Sequence, residues 1–141
     1  MDSPLISRKF SIAHVEFNEL AIRLGLDNKL PSRHISEAER LGKVLDTVET
    51  PFVITSWYRS LQVEREYGRK QFAAYCISNR LPLNDSSWLN YHDSTPHSRA
   101  AAVCLMSPDL DSLVKELSDL GEVEVHGNAV KWLSFTLEDT Q

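Results

Sequence analysis

Phe52-Val53-Ile54-Thr55, entered through Pro51, is a β-branched run bounded by a proline, which reads as a short strand. Both flanks of this strand are helical. Upstream, Ser36-Glu37-Ala38-Glu39 has the form of a capping box, because Ser36 and Glu39 can each satisfy the other's free backbone N–H. The helix that follows carries Leu41, Val44, Leu45 and Val48 at i, i+3, i+4 and i+7, and Pro51 marks its end. Downstream, a helix is expected from about Ser60 to Asn79.

Further out, Ser11 can cap a helix running to about Arg23, with Ile12, Val15 and Leu20 inward and Gly25 as the stop. Residues 81–96 are rich in turn formers and read as a long loop, a kind of segment that is more often functional than accidental. Ala101 to Met106 reads as a buried strand. Ser107-Pro108 supplies a cap and a proline for the next helix, whose stripe is Leu110, Leu113, Val114, Leu117 and Leu120, with Gly121 as the stop. Glu122–His126 and Ala129–Leu137 read as two strands joined at Gly127-Asn128, a two-residue hairpin signal. The order gives one α+β domain over residues 1–141, a small antiparallel sheet flanked by helices.

Composition limits the function classes. Hydrophobic residues at 42% and charged residues at 25% are ordinary for a globular chain with one core. A formal charge of −5 offers no attraction to nucleic acid or to an anionic membrane surface, and no apolar run is long enough for a membrane span. Met1-Asp2-Ser3-Pro4-Leu5 lacks the basic and then apolar pattern of a secretory signal. The expectation is cytoplasmic synthesis, with lysis or a virus particle as routes out. Cys76 and Cys104 lie far apart without metal-knuckle spacing, so two free thiols are expected, that of Cys76 buried on a helix.

Lys9-Phe10-Ser11-Ile12, Leu24-Gly25-Leu26-Asp27-Asn28 and Ile54-Thr55-Ser56-Trp57-Tyr58-Arg59-Ser60 follow one another as landmarks of a known family. Thr95-Pro96-His97-Ser98-Arg99-Ala100-Ala101-Ala102-Val103-Cys104 and Trp132-Leu133-Ser134 continue the series. Over about residues 9 to 137 the chain resembles the zinc D-Ala-D-Ala carboxypeptidases of the hedgehog/DD-peptidase fold, common among cell-wall hydrolases of bacteria and their phages. The resemblance implies Ser-Gly-Tyr-Arg-Ser, then Ser-x-His-x-x-Gly-x-Ala-x-Asp, then Trp-x-His. It also implies zinc held by the first His, the Asp and the last His, with a carboxylate base three residues before the last His. An arginine steadies the charge that develops on the substrate. Three ligands leave the metal an open position where bound water becomes acidic enough to attack an amide.

Carried across, the first ligand is His97 and the arginine is Arg59, while the Asp becomes Cys104, the last His becomes Ser134 and the base becomes Lys131. A serine hydroxyl is a poor zinc ligand, and a lysine at neutral pH has no free lone pair with which to take a proton. Two motif glycines are also replaced, by Trp57 and Ala100. The reading that follows is a pseudoenzyme without cofactor: a structural or binding module with a protein partner, at home in a phage virion as capsid decoration, tail or baseplate.

Two alternatives stand beside it. One is a zinc-dependent wall peptidase of the endolysin or DD-carboxypeptidase type on a rebuilt site of His97, Cys104 and His92. The other binds peptidoglycan without cleavage through Arg59, Trp88 and Tyr91. Arg59 suits a carboxylate pair and an anion site equally, and Trp88 and Tyr91 either contact a partner or fold over the cleft. His97 can equally be a buried, hydrogen-bonded remnant. His126 is set aside, because a turn at Gly127-Asn128 pairs it with Ala129 and leaves it more than roughly 15 Å from Ser134.

Overall fold

The computed structural model describes residues 3–67 and 69–137, and the side chains of residues 69–71 and 94 lie outside the description. The chain is α+β. Its sheet has the order β1-β2-β4-β3, with β1 Val53–Ser56, β2 Ala102–Met106, β3 Gly121–His126 and β4 Trp132–Leu137, every pair antiparallel.

Strand alternation sorts the side chains. Val103 and Leu105 of β2, Leu133, Phe135 and Leu137 of β4, and Val123 of β3 turn to one face. There they meet Ala38, Leu41 and Leu45 of helix α3 (Ile35–Asp46) and Leu113 and Leu117 of α7 (Leu110–Ser118). Each such leucine, fully buried, contributes roughly 1.5–3 kcal/mol of transfer free energy. The stripes expected on the two helices therefore supply the core, except for Leu120, which lies beyond the end of α7 and is exposed. The opposite face carries one row across all four strands: Ser56, Cys104, Ser134 and Glu124, each the Cα partner of the next.

Several expected boundaries move, each for a local reason. The first helix is two, α1 (Ile12–Glu16) and α2 (Glu19–Leu24), because Asn18 interrupts it. Asn18 is buried, bridges to Ser56, and caps α2 by accepting from the Ala21 N–H at 2.9 Å. Gly25 does end α2, at φ 67, in the left-handed conformation that glycine adopts without strain. Helix α3 begins at Ile35, after a 3₁₀ turn over Ser32–His34, so Ser36 lies inside it and the expected capping box is not its start. It ends at Asp46, well before Pro51. Ser107 does not cap α7. Asp109 does, accepting from Ser112 N–H at 3.3 Å, while the Ser107 hydroxyl donates to the Pro51 carbonyl at 2.6 Å.

The stretch expected as one helix over 60–79 is described as α4 (Leu61–Tyr67) and α5 (Arg69–Asn79). The largest correction falls on 81–96. It is not a loop but helix α6, Asp85–Ser94, capped by Asn84, whose side chain accepts from Ser87 N–H at 2.9 Å. Ser87, Trp88, Tyr91 and His92 form its inner side. Trp88 stacks on Phe72 with centroids 3.9 Å apart, and Tyr91 packs on Tyr75 at 5.4 Å. Among the described residues, no helix is long and apolar enough to cross a membrane.

Candidate functional site

At the end of β1 the chain leaves the sheet through Trp57-Tyr58-Arg59, which is laced to the 3₁₀ turn Pro96–Arg99 and to Ala100 after it. Trp57 is fully buried and its indole N–H donates to the Ala100 carbonyl at 2.9 Å. The Arg59 amide donates to the His97 carbonyl at 3.2 Å. The His97 Nδ1 lies 2.7 Å from the Trp57 carbonyl. A carbonyl only accepts, so Nδ1 carries the proton and Nε2 presents a lone pair. That lone pair faces the Cys104 sulfur, 3.9 Å away. Ala100 sits at φ 61, where an alanine is strained and a glycine would not be.

Arg59 is the hub. Its Nε–H donates to Ser56 Oγ at 3.0 Å, its Nη2–H to Cys104 Sγ at 3.4 Å, and its Nη1 lies 3.5 Å from Glu64 Oε2. The guanidinium also rests on the Tyr67 ring, 4.3 Å from the centroid. The pair is well covered, with side chains 13% and 6% exposed, and Glu64 Oε2 has no hydrogen-bond partner among the described residues. Of the two open readings of Arg59, the carboxylate pair is the one present, and the same side chain lines the cleft.

Burial and the neighbouring guanidinium hold the His97 pKa down to about 3, against the weaker opposing pull of the Trp57 carbonyl. Burial pushes the Cys104 thiol up, with Arg59 working the other way. Thiol and imidazole therefore face each other as neutral groups. His97 should show one neutral tautomer, protonated at Nδ1, with no change in its ring nitrogen-15 shifts between about pH 8 and pH 5. The folded pKa lies below the unfolded value of 6.5, so the associated stability is full above that value and is lost as pH falls toward 3. A ring that titrates near pH 6.5 would overturn this.

A cleft of about 460 Å³ opens over the site, lined by Thr55, Ser56, Arg59, Tyr67, Cys104, Met106 and Trp132. Trp88 and Tyr91, held in the aromatic cluster with Phe72, are not among its walls. His92 is buried on α6 with its Nε2 2.8 Å from the Arg59 carbonyl, so that nitrogen donates there and is not turned to Cys104. Both cysteines are free and buried.

No family model, curated protein or solved structure matches this chain.

The zinc that the resemblance implies can be tested on the residues themselves. At its three ligand positions stand His97, Cys104 and Ser134, the last two being cross-strand partners on the cleft face. Among the described residues, no three His, Cys, Asp or Glu side chains are grouped so as to hold a metal ion. The Arg59 guanidinium, 3.4 Å from the sulfur, would oppose a divalent charge there. These residues do not fit a water-activating zinc centre.

One site residue is misplaced by the sequence reading. The hairpin does not turn at Gly127-Asn128 alone: β3 ends at His126, β4 begins at Trp132, and these two residues are partners. His126 therefore shares a face with Trp132, stacked at 4.3 Å, and its Nε2 reaches Ser134 Oγ at 3.1 Å. It lies beside the residue from which the shorter turn would separate it. Alternation carries the missing signal, because Leu133, Phe135 and Leu137 inward put Trp132 and Ser134 outward. Lys131 lies exposed in the connection.

Proposed function

We propose that the chain is a peptidase-like domain of the hedgehog/DD-peptidase kind that has lost hydrolysis and serves as a structural or binding module in an assembly. The observation that carries this is the Cys104–Ser134 pair. The motif positions expected to hold two converging metal ligands are neighbours on one sheet face, yet they present a thiol and a hydroxyl, with Arg59 donating to the thiol. The other imidazole on this face, His126, meets the Ser134 hydroxyl, and among the described residues no three His, Cys, Asp or Glu side chains are grouped to hold a catalytic zinc. The natural partner is a protein, and the habits of the resembled family favour a phage particle, in capsid, tail or baseplate.

The cleft favours one second reading, recognition of wall peptide without cleavage. Arg59, Tyr67 and Trp132 line it together, a cation and two aromatic rings suited to a short peptide with a carboxylate. The test is incubation of the protein with isolated sacculi and added zinc, assayed for released D-alanine and peptide and for co-sedimentation. The expected result is no release above a His97→Ala control. Sedimentation weakened roughly tenfold by Trp132→Ala would assign the cleft to wall peptide, and protein left in the supernatant would remove that second reading. Chelator-sensitive release that requires His97 would sink the proposal.

A further inference from the structure

We infer that β3 is a docking edge for a second copy of this chain, the two β3 strands pairing antiparallel about Val125 and joining two sheets into one. The sheet ends in β1 and β3. The outer side of β1 is met from within, by the Asn18 bridge to Ser56, and just beyond it Tyr58 N–H donates to the Val15 carbonyl at 3.1 Å. Among the described residues, no strand or bridge covers the outer side of β3. Such an open edge is a template for another strand. Leu137 N–H donates to the Ala101 carbonyl at 2.9 Å, so Leu137, Phe135 and Leu133 turn their backbone groups to β2. Thr136, Ser134 and Trp132 turn theirs to Glu122, Glu124 and His126, which leaves the N–H and C=O of Val123 and Val125 facing outward.

Charge chooses the occupant and the register. Glu122, Glu124 and His126 share one face of β3, and the Glu124 side chain is 76% exposed. A pairing centred on Val123 sets Glu122 against Glu124 of the other strand, and one centred on Glu124 sets that glutamate against itself. Both oppose like charges. A pairing centred on Val125 instead sets each Glu124 opposite the second copy's His126, twice over by symmetry. These are the close, non-hydrogen-bonded positions, with Cα atoms roughly 4.5 Å apart. At the centre the two Val125 residues exchange their outward N–H and C=O groups. Their side chains, 50% exposed in the single chain, cover one another on the opposite face. Gly127, at φ 93, takes the chain out of the ladder, so the contact is short and the dimer weak. A foreign strand without a suitable group at that position finds no match for Glu124, whereas this chain's own β3 carries an imidazole there. The pairing does not depend on what the cleft binds.

The test is sedimentation equilibrium of the full chain from about 10 μM to about 1 mM. The wild type should pass from monomer to dimer over that range. Glu124→Lys, a change at an exposed position, should weaken the dimer by roughly tenfold. Adding His126→Glu to it should restore association, because the exchanged charges again oppose each other across the pair. Val125→Pro should leave only monomer, since it removes an N–H that points away from β4. A wild type that stays monomeric throughout, a Glu124→Lys dimer as tight as the wild type's, or an exchanged pair that fails to recover association would each overturn the assignment. So would a folded Val125→Pro variant that still dimerises.

Discussion

Trp57→Ala is expected to lose about 3–5 kcal/mol of folding stability, read as a lower urea midpoint with an unchanged slope. The indole is fully buried and packs edge-on to Phe10, with ring centroids 6.2 Å apart. Truncation leaves a cavity in the core and strips the Ala100 carbonyl of the indole N–H that it accepts at 2.9 Å. Trp57 is a beam joining the end of β1 to the turn before β2. A loss below about 1 kcal/mol would show that the beam is dispensable. His97 is anchored to the Trp57 backbone carbonyl, not to the ring, so a folded variant should keep the neutral His97 tautomer.

The second large effect belongs to Arg59. Arg59→Met should cost about 3–5 kcal/mol, because it leaves Glu64 as a buried carboxylate without its cation. Glu64 Oε2 has no hydrogen bond among the described residues to soften that loss. Removing both charges in Arg59→Met with Glu64→Met should recover much of the stability, since a buried pair and a well-packed apolar pair often differ little. A double variant as unstable as the single one would show that the arginine works through packing on Tyr67 and Ser56 instead.

What sequence reasoning found follows from periodicity. The inward residues of α3 and α7 and the buried run of β2 recur at helical or strand spacing, and burial of apolar area acts at those intervals wherever the chain goes next. What it missed was polar or depended on distant partners. Helix α6 hides among turn formers, because Asn84 and Asp85 are as good at starting a helix as at making a loop. Its stripe of Ser87, Trp88, Tyr91 and His92 becomes an inner face only because Phe72 and the Arg59 carbonyl are there to meet it. Asn18 likewise breaks a helix because Ser56 and Tyr67, far along the chain, receive its side chain.

The α+β class, the apolar faces, the two separate thiols and the acidic charge are legible in the residues alone, since each depends on residue type and short-range spacing. Long-range packing sets His126 beside Ser134, divides Arg59 among Ser56, Cys104 and Glu64, and turns His92 to a backbone carbonyl. The reason is energetic. A turn at Gly127-Asn128 and a connection over 127–131 differ little in closure entropy, so the packing of Leu133 and Phe135 against the helices selects the register, and the register selects the neighbours of Cys104.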